Sequence, residues 1–525
     1  MRRRTAAALV LAGLLLAACG GTSTGSSSST GPKQGGTLTT AIGIDPDTLD
    51  PQAQTTTTSS QLVQMMTEGL VGIDRQGHTK PVLATQWQAS QDGLTYTFTL
   101  RQGVKFSDGE PFDAQAVKFT FDRLLSPATL KAQVGVLKVI KQTDAVDASH
   151  VRFTLNEPFA AFPSALSQSV ASIVAPNSVN QAPNTPATVA QPVGTGPYVF
   201  KERVKGDHIT MTRNPNYWGQ KPSYQAQTYK IVPEAASRES LIKAGQADVA
   251  MLPPPNDLPA LQANPDVSVM LGDSDRTIFV AIDTQDPRVP ALQKKEVRQA
   301  LNYAVNKQAI IKNVLFGAGS VSNAPAASTL FGYCQSGSYG YNPNKAKQML
   351  QQAGAEGLGI TLGSPQGRYI GDYQVTQAVA GDLRAVGLKV NMPNPPDWPS
   401  YVAANNLPAN QVPWNMHLLG WAPTYLDASQ ALTIFQKANF PPAGSDTSWY
   451  DRTDVGQLIA KGNADADPVQ RRQAYCQAEK TIWDDAPLIF LHTQKLPVVT
   501  TKKVSGVVTL PNEQFSTVNA APAST

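Results

Sequence analysis

Few residues of this 525-residue chain are spaced for covalent or metal chemistry. Its five histidines, His78, His150, His208, His417 and His492, never fall at the His-x-x-x-His spacing with which one helix face offers two imidazoles to zinc, and no Cys-x-x-Cys pair occurs. SLIK, Ser240 to Lys243, has the Ser-x-x-Lys spacing in which a lysine assists a serine nucleophile. The Ser-Asp-Asn and Lys-Thr-Gly segments that complete such a β-lactamase-like site are missing, so the pair reads as part of a solvated helix. GTSTG, Gly21 to Gly25, matches Gly-x-Ser-x-Gly formally but has neither a strand before it nor a helix after it. With no Gly-rich phosphate loop of Walker type either, the reading is a chain without a metal, a cofactor or an assembled catalytic site.

The first residues set the compartment. MRRRT is a basic start, AAALVLAGLLLAA is an apolar run too short to span a bilayer comfortably, and LAAC ends it at Cys19. This is an export signal, residues 1–19, and it resembles a bacterial lipobox, which implies that Cys19 becomes the lipidated first residue of the mature protein. Residues 20–36, rich in Gly, Ser and Thr, have nothing apolar to bury and form a solvated tether with a reach on the order of 20 Å. The expected location is therefore extracytoplasmic, on the outer face of the cytoplasmic membrane. A net charge of +4 spread over this length lacks the basic stripe that a nucleic-acid partner requires. In an oxidising compartment Cys334 and Cys476 either form one disulfide or remain two buried thiols.

The elements that must position any site alternate between strands and amphipathic helices. TYTFTL puts Tyr96, Phe98 and Leu100 on one face of a half-buried strand. Asp113 reads as an N-cap before Val117, Phe121, Leu124 and Leu125 at helical spacing. Val297, Ala300, Leu301 and Ala304 make another apolar face, and so do Val375, Val379, Leu383 and Val386, which stop at Gly387 before the strand-like LKVNM. The 40 prolines and 39 glycines fall mainly between such elements, which predicts an α/β body with many ordered loops.

VGTGPYVFKERVKGDHITMTRNPNYWG, Val193 to Gly219, closely resembles the signature of the family 5 extracellular solute-binding proteins, the peptide, glutathione and nickel receptors of bacterial ABC importers. DPDTLDP at Asp45, TEGLVGID at Thr67, VRQALNYAVNKQAI at Val297, NPNKAKQMLQQAG at Asn342 and AEKTIWDDAPLIFL at Ala478 look like further blocks of that family in family order. The resemblance implies a two-lobed periplasmic-binding-protein-like fold (type II, cluster C-like) with a small extra domain inserted in the first lobe. Residues 37–69 and 188–283 would form lobe I around the insertion 70–187, 284–495 lobe II, and 496–525 the return to lobe I with the C-terminal tail. Within the signature, Gly194, Gly196 and Pro197 read as a tight turn with Tyr217 and Trp218 packed beneath it. That is scaffold near the hinge rather than ligand contact.

For ligand choice the informative region is WNMHLLGWAPTYLDA, from Trp414. In peptide-binding relatives a Gly-Trp strand runs beside the ligand, and an acidic residue three positions after the tryptophan pairs with the ligand's α-amino group. Here Gly420 and Trp421 match and Ala422 follows, but the acidic position is Thr424, which cannot neutralise an ammonium. Asp427 could take that part or be a loop aspartate in solvent. Arg368 suits a free carboxylate through a two-nitrogen fork, or else pairs structurally with a nearby acid. Trp398, Tyr425 and the hydroxyls of Thr55, Thr56 and Thr57 complete the expected wall, with Trp421 and Gly420 at its centre. The expectation is a monomeric, lipid-anchored receptor that binds short peptides or peptide-like solutes and serves an ABC permease and its ATPase. A non-peptide solute such as an oligosaccharide is the alternative on the same fold, and a secreted hydrolase the alternative from another class.

Overall fold

A computed structural model describes residues 35–126, 135–180 and 188–523. The export signal, Cys19 and most of the tether lie outside the described residues. The local readings translate directly into elements. Strand Thr95–Leu100 buries Tyr96, Phe98 and Leu100. Helix Ala114–Leu125 is capped by Asp113, whose carboxylate accepts from the backbone of Gln115 and Ala116 at 2.9 and 3.1 Å. Helices Lys295–Ala304 and Asp372–Ala385 bury the predicted faces, the second ending at Gly387 with φ +97° before strand Lys389–Asn391.

One mixed sheet runs through the body. From one edge its strands are Lys389–Asn391, Gly359–Gly363, Met416–Trp421, Val267–Ile282, Leu488–Thr501, Val249–Met251, Thr37–Ile42, Ala226–Ile231, His208–Arg213 and Tyr198–Val204. The two long members, Val267–Ile282 and Leu488–Thr501, are antiparallel neighbours paired from Val267↔Thr501 to Ala281↔Leu488. Their register breaks between Asp273 and Thr277. On one side of the break Val267 packs with Ala41, Ile242 and Val499; on the other, Ile278, Val280 and Ile282 pack with Leu301 and Val379. One strand thus serves both cores, with the register break inside it.

A four-stranded antiparallel sheet, Ala84–Ala89, Thr95–Leu100, His150–Leu155 and Ile140–Asp147, stands apart from the large one. It has its own core, in which Phe98, Phe121, Phe153 and Phe162 meet edge to face. This is the small domain inserted in the first lobe of a two-lobed α/β fold. In the second lobe Cys334 and Cys476 are bonded, with Cα atoms 5.0 Å apart, inside the range a disulfide spans.

The signature fastens one helix. Helix Thr57–Met66 ends against the Gly194–Gly196 turn, where Gly196 N–H donates to Met66 O at 3.0 Å and a Cβ on Gly196 would come within 2.6 Å of the Met66 carbonyl carbon. Next to it, the half-buried carboxylate of Glu68 accepts from Thr195 Oγ1 (2.8 Å), Trp218 Nε1 (2.7 Å) and Tyr217 OH (3.2 Å). Burial holds that carboxyl above its usual range despite these donors, and the Arg101 guanidinium lies over the Trp218 ring at 4.3 Å. Tyr217 and Trp218 thus clamp the C-terminal end of a helix whose other end faces the cleft.

Candidate functional site

Where the lobes, the inserted domain and the C-terminal hairpin converge, they leave a polar cavity of about 220 Å³. Its first wall is the start of helix Thr57–Met66 with the loop before it: Gln54, Thr55, Thr56, Thr57, Ser60 and Gln64. Thr56 caps this helix by accepting from Ser59 N–H, and Asp47 accepts from both the N–H (2.7 Å) and the hydroxyl (2.6 Å) of Thr55. Gln54 joins the wall to the inserted domain, donating to Ser169 Oγ at 2.9 Å and accepting from Ser60 Oγ at 2.8 Å. The opposite wall is Ala422 to Leu426, directly after strand Met416–Trp421. Here Tyr425 turns its ring edge to face against Phe159 of the inserted domain, centroids 6.1 Å apart.

The floor carries the charge. Asp275 and Arg276 come from the register break of the long strand, Asn512 and Glu513 from the turn between strands Val508–Leu510 and Gln514–Ser516. Arg276 grips Glu513 with both Nε (2.7 Å) and Nη2, and Gln494 Nε2 donates to the same carboxylate at 3.3 Å. Burial works against the Arg276 charge, but Glu513 more than offsets this and raises its pKa. Glu513 sits at φ +59°, a left-handed conformation that costs a non-glycine residue on the order of 1 kcal/mol. The fork from Arg276 fixes its side chain there. Asp275 is buried, and its carboxyl is held well above the usual range by burial and then by Glu513, against the pull of Arg276.

The expected site residues divide. Thr55, Thr56, Thr57, Ala422, Thr424 and Tyr425 come together on the cavity, while Trp421, Gly420, Asp427, Arg368 and Trp398 are not among the residues lining it. Gly420 makes room for protein rather than ligand: a Cβ there would lie 2.7 Å from both Ile278 Cδ1 and Tyr369 Cε1. Half-buried Trp421 packs with Leu419 on the Phe279–Phe490 cluster, its Nε1 donating to Gln430 O at 3.4 Å. Asp427 is buried rather than a loop aspartate in solvent, and both its carboxylate oxygens accept from Arg471 Nη2 at 3.0 and 2.9 Å. Arg368 is exposed, has no acidic ion-pair partner among the described residues, and lies over the Tyr369 and Trp398 rings at 5.1 and 5.3 Å. The same Tyr369 ring carries Arg276 at 5.6 Å, so Arg368 stands one ring away from the cavity floor.

The family model described as bacterial extracellular solute-binding proteins, family 5 Middle, matches residues 78–440. The chain belongs to this family. The glutathione-binding protein GsiB of Pectobacterium atrosepticum is 30% identical over 480 residues, covering 91% of this chain and 92% of that one. The structure of HbpA2 from Haemophilus parasuis superposes with a TM-score of 0.82 at 25% identity, covering 93% of this chain and 100% of that chain. DppA from Helicobacter pylori, an ABC transporter-associated periplasmic binding protein solved with the peptide STSA, gives 0.75 at 26% identity, covering 93% and 98%.

For this family 5 chain, what sequence reasoning missed is the floor. Asp275, Arg276 and Glu513 have no short-range signature, since the fork joins residues 237 apart. The available signal was DSDR, Asp273 to Arg276, a run of charge inside what otherwise reads as a strand. The placement of Trp421 yields a prediction. Trp421→Ala should lower folding stability by about 2–3 kcal/mol, short of the ~3–5 of a fully buried aromatic, with solute affinity within about threefold. A melting curve beside a titration checks this, and lost affinity at an unchanged melting temperature would restore Trp421 to the pocket wall.

Proposed function

We propose that this chain is a lipid-anchored receptor of an ABC importer that captures a short peptide or peptide-like solute between its lobes and delivers it to the permease. The observation that carries this reading is the polar cavity at the register break of strand Val267–Ile282, bounded by both lobes and the inserted domain. A solute held there touches the moving parts at once, so its differential affinity for the closed form drives closure by hinge motion, and the closed form is what a permease can recognise. The printed ligands of relatives, glutathione for GsiB and the peptide STSA for DppA, support a peptide-like solute. A cavity of about 220 Å³, below the ~300–1,000 Å³ typical of drug-sized ligands, favours a short one. Arg368 is suited to meet a solute carboxylate at the mouth, because its guanidinium is stacked and, among the described residues, not ion-paired. An oligosaccharide is less well served: Tyr425 is the aromatic lining the cavity, and Trp398 and Trp421 lie away from it.

Mass spectrometry of solutes released from the purified full chain, followed by calorimetric titration of what is found, tests the reading. Recovery of peptides unchanged supports it, and recovery of sugars alone overturns it. For the anchor, Cys19→Ala should move the protein from the membrane fraction to the soluble fraction, and continued labelling by fatty acid would show that LAAC is not a lipobox. The receptor acts as a monomer on the outer face of the cytoplasmic membrane, with the permease and its ATPase as partners.

A further inference from the structure

Two buried acceptors on the cavity floor have no donor among the described residues. Asp275 is 2% exposed and its Oδ1 has no hydrogen-bond partner among the described residues; Asn512 Oδ1, on the same floor, is likewise buried without one. Arg276, next to Asp275 in sequence, is committed to Glu513 through two nitrogens, and Glu513 accepts from Gln494 as well. Two carboxylates thus face one guanidinium, and a buried acceptor left without a donor is unfavourable, the more so when it bears charge. One group remedies both shortages, namely a cation carrying several N–H donors on a single atom. A primary ammonium is that group, with three donors and no acceptor.

We infer that Asp275, with Asn512 on the same floor, receives a primary ammonium of the bound solute, so that the receptor selects solutes with a free amino group. This rests on the proposed reading of the cavity as the solute site. It also gives the α-amino group of a peptide a carboxylate partner on the floor, in a chain with threonine at position 424. Asp275 lies in the register break between Asp273 and Thr277, so an ammonium bound there bears on the irregular part of the strand that both cores share. The other titratable side chains lining the cavity are Arg276 on the same strand, Glu513 on the hairpin and Tyr425 on the opposite wall. Burial and Glu513 favour the protonated carboxyl, so an arriving ammonium displaces a proton, and affinity rises with pH until the amine itself loses its charge.

Calorimetric titration of the full chain with trialanine, glutathione and spermidine, each beside its acetylated form, tests the inference. At least one free amine is expected to bind, with acetylation weakening it by about thirtyfold or more. Asp275→Asn, nearly isosteric, should weaken the same free amine by a similar factor, with a melting temperature within about 2 °C of wild type. If that variant does not fold, the acetylation comparison on the wild-type chain decides. Trialanine or glutathione binding that survives Asp275→Asn within about threefold overturns the role of Asp275, whether or not acetylation matters, and leaves the peptide reading standing. Spermidine binding alone, lost in Asp275→Asn, supports Asp275 and removes the peptide reading. Binding of none of the three overturns both.

Discussion

Asp427→Ala is expected to cost about 3–5 kcal/mol of folding stability, because it strands a buried guanidinium. The carboxylate holds Arg471 with both oxygens and accepts from Ser429 N–H at 2.9 Å, which starts helix Ala428–Ala431. Arg471 would retain Gly462 O at 3.0 Å and Tyr475 OH at 3.3 Å, together with the face of Phe331 at 4.6 Å, none of which carries a countercharge. Replacing both partners, Asp427→Leu with Arg471→Met, should cost less than the single change, since two desolvated charges vanish together. Urea unfolding of the three variants measures this. A single variant within about 1 kcal/mol of wild type would mean that the pair is effectively solvated and that the argument from burial fails.

Removing the Cys334–Cys476 bond should be of comparable weight. It closes a loop of 142 residues, for which the chain-entropy relation predicts about 5 kcal/mol. The paired variant Cys334→Ser, Cys476→Ser should therefore unfold at markedly lower guanidinium concentration, and reductant should shift the wild type but not the variant. If neither shift is seen, the bond contributes nothing to stability. The two braces also share a joint. Phe331, which bridges to Asp427 on the backbone, lies three residues before Cys334, while Arg471 lies five before Cys476. Their losses should consequently not add, and Asp427→Ala in the serine background measures the coupling directly.

Local periodicity made much of the scaffold legible. The cap at Asp113, the buried faces of helices Lys295–Ala304 and Asp372–Ala385 and the strand Thr95–Leu100 depend on neighbours within a turn or two, which sequence displays. The wall from Ala422 to Tyr425 and the threonines Thr55 to Thr57 were found through family resemblance. Strand alternation groups Trp421 with Leu419 over an aromatic cluster, and which layer covers that face depends on Phe279 and Phe490, far away in the chain. Asp427 could have been read as a cap from LDAS, but its decisive partner is 44 residues on. The floor shows in the sequence only as the charged run DSDR, since charged residues look solvent-directed until the partner that desolvates them is known.

The order in which the strands enter the large sheet has a consequence for how the molecule comes into being. Strand Thr37–Ile42 lies inside the first lobe, between Ala226–Ile231 and Val249–Met251, and the latter pairs in turn with residues 498–500. Tyr229 and Gln227 then wait for Thr517, which hydrogen-bonds to both. Strand Thr37–Ile42 thus sits in a layer that closes only once residues 498–500 have been made. Contacts so distant in sequence fold slowly, because the entropy of closing long loops must be met before any pairing returns it. Until those residues emerge the chain has no native lobe I to collapse into. In a family of extracellular solute-binding proteins that delay is an asset: it keeps a chain threadable while it crosses a membrane, and the layer locks shut only once the distant strand arrives.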